Sequence, residues 1–599
     1  MAKRRHSQTM SPTAPAPWGR VFPIVLLAGA ALTILWPWSS SQAQAADVAA
    51  IFTGTLAVLA GAALMLTNRI PSTLSRGGIA WWLFLGWALV GALASGRGWS
   101  AFAGEPTSIL GWFTLASLTL VGIAAFTVPT RIHELLVRFG WLMILFECLI
   151  ALGQIATSGP ANVGGTVHNS TTFGEAILLF LPWALVDAPG RSGTETWARR
   201  ITVFVALVTL AAIGSRTAVA LALVWVVWFV LTRARLDRRV RLGIAGGSIA
   251  AVALAAYGFA RGEVLSSTSI STLGLRPALW MLSLRAVAAR PLWGWGPDGF
   301  TAGGSAVSTV ALAKKVVLPV FQLGSTDPHN ALAWIAVSTG VVGLLLFGWF
   351  VFELVRVWRV RVLAGEDATP AVWAVVMSFV VFLTAPAALQ VLPMFALVCG
   401  VSMARSQPTQ EPVGIRMPRW IAFTAIGLLT FTSATFALNM ASRAPLETAN
   451  AERSPGLVAS AQAASQLWPL DPHLAYLTSL HWGYAALVNP ESASARTDLV
   501  AIDRATRLDR TSARNALELV RTLRSYSATN DAVEKAFAET FRRYPFDPLA
   551  RAEYGLYLAQ TGRSSEAREQ LAIASLGDQT GAQDRQRIIA AAREVLESQ

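Results

Sequence analysis

Cysteine and charge are both scarce in this sequence. Of its 599 residues only two are cysteines, Cys148 and Cys399, and both lie inside apolar stretches. Their number and placement exclude a disulfide framework and a cysteine-based metal site, so we interpret them as small core residues. Charged residues make up 14% of the chain, against about 25% in ordinary soluble domains, which excludes an ordinary soluble protein. No P-loop or dinucleotide-binding fingerprint is present, so the common nucleotide-binding classes are excluded as well.

Long apolar runs dominate what is present. Runs of 18 or more residues recur between Val21 and Asn439, and each can cross the roughly 30 Å hydrocarbon core of a bilayer as a helix. The sequence therefore predicts an all-α, polytopic helical membrane protein with about 12 to 13 spans. The predicted spans are residues 21–38, 48–67, 79–95, 108–128, 139–157, 171–186, 201–214, 217–232, 242–260, 331–355, 371–388, 389–404 and 420–439. We interpret the first as a retained span rather than a signal peptide, because no convincing small-residue cleavage site follows it.

Arginines are concentrated in alternate loops. The formal net charge is +14, which in a soluble protein would suggest nucleic-acid binding. Here the short outer loops 39–47 and 158–170 contain no Lys or Arg and 96–107 contains only Arg97, while the loops that alternate with them are arginine-rich, as the positive-inside rule requires. We therefore expect a cytoplasmic N-terminus and no nucleic-acid partner. Residues 201–232 could form one long tilted helix, but the charge pattern favours two short helices that meet near Arg216.

The predicted topology divides the chain into three parts. Residues 1–20 form a cytoplasmic tail, and residues 21–439 form a transmembrane domain that includes an extracytoplasmic loop, 261–330. Residues 440–599 form an extracytoplasmic tail with a different, Ala-rich and charged composition. In that tail Asp471, Asp509 and Asp547 are evenly spaced, 38 residues apart, and each separates two amphipathic helices. The last unit looks like a tetratricopeptide repeat, although such repeats usually have a period of about 34, and a plain helical bundle is the alternative.

Two arginines on the predicted outer side are candidates for anion binding. Arg216 lies at the tip of the predicted helical hairpin, where it either binds an anion or extends toward lipid headgroups. Arg276 shares a face with Trp280 and Leu284 if residues 277–289 are helical, with Pro277 in the first turn. A simple interfacial anchor is the alternative for that helix.

Two His-Asn pairs are predicted on the same side. His329 and Asn330 immediately precede the tenth span, and His168 and Asn169 precede the sixth, which carries Glu175. The planar guanidinium of arginine suits phosphate binding, and histidine can accept a proton from a hydroxyl near neutral pH. Since nucleotides are scarce outside the cell, a lipid-linked phosphate donor is the expected substrate.

Four stretches of the sequence, together with their order along the chain, resemble the O-antigen ligase and polymerase superfamily. They are GGTVHNSTTFGEAILLFLPWAL, GSRTAVAL, RPALWMLSLRAVAARPLWGWGPDGF and DPHNALAWIAVSTGVVGLLLF, and the resemblance covers roughly residues 50–405. It implies a GT-C-like fold in the bacterial cytoplasmic (inner) membrane. It also implies a metal-independent glycosyltransferase that needs no cofactor. Such an enzyme moves a glycan from an undecaprenyl-diphosphate carrier to an acceptor hydroxyl on the outer side.

The resemblance also assigns roles to residues. Arg216 and Arg276 would hold the diphosphate and His329 would activate or orient the acceptor, which makes these three the candidate catalytic residues. The remaining candidates would contact substrate: Arg285, Arg290, His168, Asn169, Glu175 and Asn330. The acceptor could be a glycan, a lipid or a protein. Membrane lipids are expected neighbours, and the tail could bind an envelope protein.

Several functions share these features. A repeat-unit polymerase and a protein glycosyltransferase of the same superfamily carry similar motifs. A transporter or flippase of lipid-linked glycans is a further alternative, but it would line a path with charges at several depths, whereas these charges lie mainly at one face. The last alternative is a scaffold protein whose tail assembles envelope enzymes.

Overall fold

The structure is a computed structural model, and it describes most of the chain. The described residues are 18–35, 42–71, 73–106, 108–158, 169–186, 192–213, 215–233, 267–319, 321, 327–363, 369–385, 388–404, 414–451, 457–488, 497–526, 528–576 and 582–599. The candidate His168 and the predicted ninth span, 242–260, lie outside them.

Helices make up nearly all of the membrane region. In chain order they are α1 (Trp18–Leu35), α2 (Gln42–Leu66), α3 (Arg76–Ala94), α4 (Ser100–Ala103), α5 (Trp112–Thr127), α6 (Pro129–Ser158), α7 (Ser170–Ala184), α8 (Gly193–Ala212), α9 (Arg216–Arg233), α10 (Ser267–Ala289), α11 (Phe300–Val307), α12 (Val310–Ala313), α13 (Ala331–Leu363), α14 (Thr369–Phe382), α15 (Leu392–Met403) and α16 (Arg419–Ala451). Two short strands, β1 (Thr73–Ser75) and β2 (Gly414–Arg416), pair antiparallel.

Hydropathy confirms the prediction of an all-α, multi-pass membrane protein. Five described helices are long and apolar enough to cross a bilayer: Asp47–Leu66, Arg76–Ala94, Pro129–Thr157, Ala331–Arg361 and Arg419–Thr448. Further apolar helices are shorter, among them Trp112–Thr127, Thr171–Ala184 and Thr217–Phe229. Residues 201–232 form two helices, α8 and α9, that meet just before Arg216, as the arginine distribution predicts.

Small residues allow the membrane helices to pack closely. A Cβ at Gly54 of α2 would lie only 2.9 Å from the Ala437 Cβ of α16, and one at Gly61 would overlap the Thr430 side chain. Glycines seven positions apart lie on one helix face, so α2 and α16 approach backbone to backbone along that face, a common arrangement in membranes. Among the predicted core cysteines, Cys148 is fully buried.

The two ends of α3 show which loops share a side of the bundle. Its N-terminus follows β1, which pairs with β2 just before α16. Its C-terminus is contacted by the residue after α10, because Arg290 Nη1 donates to the Ser95 carbonyl at 2.8 Å. The loop after α3 and the long loop before α13 therefore lie together at the end of the bundle opposite to the strand pair.

The tail is a series of helices connected by short turns. They are α17 (Val458–Leu467), α18 (Pro472–Val488), α19 (Thr497–Leu508), α20 (Ala513–Ser525), α21 (Asn530–Arg543), α22 (Pro548–Gln560), α23 (Ser564–Ala574) and α24 (Ala582–Ser598). The three equally spaced aspartates stand at equivalent turns. Asp471 accepts hydrogen bonds from the amides of residues 473 and 474, and Asp547 accepts one from the Ala550 amide, so both cap the helix that follows. The carboxylate of Asp509 binds the Thr511 and Ser512 amides in the turn before α20.

The tail and the long loop share one hydrophobic core. Leu282, Trp295 and Phe300 from the loop are buried together with Tyr544 and Phe546 from the tail. Two hydrogen bonds fix this contact: the Phe546 amide donates to the Ser308 carbonyl at 3.0 Å and the Tyr544 hydroxyl donates to the Pro319 carbonyl at 3.2 Å. A loop too small for a domain of its own therefore completes its core with residues from the tail. The domain boundary drawn at residue 439 falls inside α16, which continues to Ala451.

Candidate functional site

His329 lies in a tight turn that begins α13. Its backbone is left-handed, with φ of 53°, and its amide donates to Asp327 Oδ1 at 2.6 Å. Asn330 caps the helix, because its side-chain oxygen accepts from the Ala333 amide at 3.0 Å. The imidazole Nδ1 is 3.6 Å from Asp327 Oδ1 and has no hydrogen-bond partner among the described residues. The turn therefore presents a partly buried imidazole with an acid beside it.

The start of α7 lies near this turn. Asn169 caps α7 by accepting from the amides of Thr171 and Thr172 at 2.9 and 3.2 Å. Glu175, just over one helical turn further, is fully buried, and neither of its carboxyl oxygens has a hydrogen-bond partner within the described ranges. Asp327 interacts with Glu175 electrostatically, which indicates that Glu175 lies near the His329 turn. A buried carboxyl without a partner is costly and indicates a functional group.

The start of α9 completes this end of the bundle. A Cβ at Gly174 of α7 would lie 2.5 Å from Ser215 Oγ and 2.6 Å from the Ala218 Cβ, so α7 and α9 are in direct contact. Arg216 is the first residue of α9, and its side chain lies outside the described set. The helix ends that carry Arg216 and Glu175 thus meet at the side of the bundle where His329 lies.

Arg276 lies on α10, which packs along α13. Our expectation that this helix begins at Pro277 is wrong: it begins at Ser267, and Pro277 lies inside it. The predicted face is confirmed, because Trp280 and Leu284 are exposed while the opposite face is buried. The Arg276 side chain is half-buried, its Nε has no hydrogen-bond partner among the described residues, and burial lowers the pKa of Arg276. Its donors are available to an anion.

The two other candidate arginines differ in their surroundings. Arg285 is exposed on α10. Arg290 lies 3.9 Å from the centroid of the Trp295 ring and donates to the Ser95 carbonyl, while burial lowers the pKa of Arg290. Arg290 therefore already holds the turn after α10 against the end of α3, and a role for it in phosphate binding stays a prediction.

A glycine-rich turn, residues 291–296, joins α10 to a kink in α13. The kink is at Gly340, whose backbone has φ of 69° and ψ of −173°. It frees two backbone groups for the turn: the Val337 carbonyl accepts from the Trp295 amide and the Val341 amide donates to the Pro291 carbonyl, both at 2.8 Å. A break in a membrane helix requires such partners, because unpaired backbone groups cost several kcal/mol in lipid. These two hydrogen bonds fix α10, which carries Arg276, relative to α13, which begins beside His329.

A buried polar network, which the sequence predictions did not include, lies beneath this turn. Arg97 is fully buried, forms an ion pair with Glu105 and donates to the Pro297 carbonyl at 2.7 Å. Asp298, also buried, accepts from the Glu105 and Leu110 amides at 2.7 and 3.1 Å. Burial raises the pKa of Asp298, and the charge of Arg97 opposes that effect. The only sequence signal was Arg97, the one basic residue in its outer loop.

Replacing Asp298 by glycine is expected to loosen this outer loop. Glycine keeps the left-handed backbone of residue 298, whose φ is 59°, but leaves the Glu105 and Leu110 amides without an acceptor. Two buried unpaired donors should lower the free energy of unfolding by about 3 kcal/mol, measured by thermal unfolding in detergent. Asp298→Asn is the matched control, since one amide oxygen can still accept both bonds. Equal stability of the two variants would contradict the role we assign to Asp298.

Residues 201–348 match the family described as O-Antigen ligase. The match extends from α8 to the middle of α13 and contains Arg216, Arg276, Arg285, Arg290 and His329. This match supports a relationship between the chain and the O-antigen ligase superfamily, whose members are glycosyl-transferring membrane enzymes. The match does not extend to the tail, so a tetratricopeptide relationship stays a prediction. No curated protein matches the chain.

Within the described ranges, no group of three or more His, Cys, Asp or Glu side chains could hold a metal ion. The candidate site consists of cationic and acidic side chains with the His329 imidazole among them.

Proposed function

We propose that the protein is a membrane glycosyltransferase of the O-antigen ligase type. It takes a glycan from an undecaprenyl-diphosphate carrier and passes it to an acceptor hydroxyl on the outer side of the bacterial cytoplasmic membrane. The match of residues 201–348 to the O-antigen ligase family carries this proposal, because that segment contains the His329 turn and the candidate arginines.

In this mechanism His329 accepts the proton of the attacking hydroxyl. Its Nδ1 lies 3.6 Å from Asp327 Oδ1 and has no hydrogen-bond partner among the described residues, which leaves the imidazole able to accept a proton. The oxygen of the acceptor forms the new glycosidic bond while the bond between the sugar and the diphosphate breaks. The carrier diphosphate leaves with the electron pair of that bond.

Arginine side chains stabilise the leaving diphosphate. Arg276 has a buried Nε without a hydrogen-bond partner among the described residues, and Arg216 begins a helix whose N–H groups also favour an anion. Positive groups already in place where negative charge develops lower the barrier without reorganisation. We propose that these arginines take the role that a metal ion has in many sugar transferases. The outer position of the site follows from the arginine pattern of the opposite loops.

Purified protein should release free undecaprenyl diphosphate from a lipid-linked glycan when an acceptor is present. Arg276→Gln is expected to lower this release about 100-fold, the typical effect of removing one group that stabilises transition-state charge. Lys314→Gln, an exposed cation in the same long loop, is the matched control and should be silent. A transporter or flippase would move the lipid without releasing carrier diphosphate, so the absence of release would contradict the proposal.

A further inference from the structure

Apolar exposure in the described part of the tail is confined to one place. Leu467 and Leu470, at the turn between α17 and α18, are 68% and 62% exposed, and Val500 on α19 is 63% exposed. The other large apolar side chains described in the tail are buried or half-buried. Arg504, one helical turn after Val500, donates to the Pro469 carbonyl, so α19 lies against this turn. We call the three exposed side chains Leu467, Leu470 and Val500 the tail patch.

The turn that carries this patch lies at the level of the lipid headgroups. Residues 420–439 of α16 cover about 30 Å, the thickness of the hydrocarbon core, so the hydrocarbon ends near Asn439. Ser442 is three residues further, which places it about 5 Å beyond the hydrocarbon. Trp468 Nε1 donates to Ser442 Oγ at 3.1 Å. Tryptophan is enriched at this level of membranes, because its ring is apolar and its N–H group is polar.

The same turn lies on the lipid-facing side of α16. Leu428, Phe431 and Leu438 are exposed, and their spacing places them on one face of the helix. An exposed apolar face on a membrane-spanning helix is a surface that contacts lipid. Ser442 is one turn after Leu438 and continues this face. The tail patch therefore lies where the lipid-facing side of α16 reaches the end of the bundle.

Two further contacts hold the turn in place. Asn439 Nδ2 donates to Asp471 Oδ2 at 2.9 Å, and both side chains are buried. The centroid of the Trp468 ring lies 6.1 Å from that of Trp99, in the loop after α3. Because these contacts attach the turn both to α16 and to the loop, the tail patch keeps a fixed position relative to the end of α16.

Basic side chains border the patch. Arg504 lies one turn after Val500 on α19, and Arg507 lies about two turns after it. Arg507 is exposed and pairs with Asp503 at 2.6 Å, a surface pair that water screens. Apolar side chains bordered by tryptophan and arginine are typical of surfaces that lie in the membrane interface, where the cations meet lipid phosphates.

We propose that the tail patch inserts among the headgroups of the outer leaflet, so that the tail lies on the membrane surface. The occupant is lipid, because the patch adjoins the lipid-facing side of α16 and is bordered by cations. A second copy of the chain is the alternative occupant, but three side chains are too few for a stable protein interface, which buries about 1,200 to 2,000 Å². The inference goes beyond the proposed reaction, because it concerns the position of the tail and not the chemistry of the site.

The test measures the depth of residue 470 with the full-length protein in nanodiscs. Leu470→Cys, in a background with Cys148→Ala and Cys399→Ala, is labelled with an NBD fluorophore. The nanodisc lipid is phosphatidylglycerol that carries a nitroxide on its acyl chain near the headgroup. The label should lose most of its emission to the nitroxide lipid and little to acrylamide in the buffer. Lys535→Cys, an exposed side chain of α21 outside the patch, is the matched control and should show the opposite pattern.

The comparison between the two labelled positions decides the outcome. A stronger loss to the nitroxide lipid at residue 470 than at residue 535 supports the proposal. An equal or weaker loss overturns it, and shielding of residue 470 from both quenchers would then assign the patch to a second copy of the chain. Leu467→Cys gives the same measurement if the Leu470 variant does not fold, since both side chains are exposed and neither substitution removes packing. The readout is depth, so its result does not depend on whether the protein transfers a glycan.

Discussion

Replacing His329 by asparagine is expected to reduce glycan transfer about 1,000-fold, within the range that general-base groups contribute. Asparagine is the appropriate substitution because it tolerates the left-handed backbone that His329 adopts, whereas alanine would add strain. The asparagine side chain cannot accept the proton of the acceptor hydroxyl. The measurement is carrier diphosphate released by purified protein, together with surface glycan in cells that carry the variant.

The control for this prediction is the neighbouring acid. Asp327→Asn keeps the shape of the turn and its bond to the amide of residue 329, but removes the charge beside the imidazole. We expect about a tenfold loss of transfer, because the carboxylate no longer lies beside the imidazole when the acceptor proton moves. Normal transfer by the His329 variant at wild-type abundance would refute the role we assign to the imidazole.

Gly340→Ala is expected to prevent correct assembly of the transmembrane domain. The backbone at Gly340 is left-handed, and a Cβ there would overlap the Leu292 carbonyl of the glycine-rich turn. The turn would have to move away, which breaks its two backbone hydrogen bonds to α13 and leaves those groups unpaired in the membrane region. We expect little folded protein in the membrane and no transfer activity, measured by immunoblot and by monodispersity in detergent.

The same helix provides the control for this substitution. Gly348 lies eight residues further along α13, and a Cβ there would meet no atom within 4 Å. Gly348→Ala should therefore keep wild-type abundance and activity. If both variants accumulate equally as folded protein, the kink at Gly340 does not have the importance that its hydrogen bonds suggest.

Features set by local sequence were predictable. Apolar runs locate spans because the cost of leaving polar backbone in lipid is high, and every predicted span that the structure describes overlaps a helix. The break before Arg216 followed from the arginine distribution. The capping roles of Asp471 and Asp547 depend on residues within one turn, so the Asp-Pro sequence is enough to indicate them.

Features set by distant residues were not predictable. The bonds from Asp298 reach residues about 190 positions away, and no local pattern indicates such a partner. The sequence showed Gly340 and Gly343 but not that the turn at 291–296 would bind there. Pro277 suggested a helix start, whereas α10 begins ten residues earlier. Tertiary contacts decide these points, and a single sequence does not record them.

The shared core of loop and tail has a consequence for biosynthesis. Phe300 and its neighbours emerge from the ribosome more than two hundred residues before Tyr544 and Phe546, which cover them. Several membrane helices must be inserted in between, so the nascent chain carries an uncovered apolar surface throughout that interval. Quality-control proteases should therefore degrade polypeptides that stop before residue 546, even when every membrane helix has been inserted.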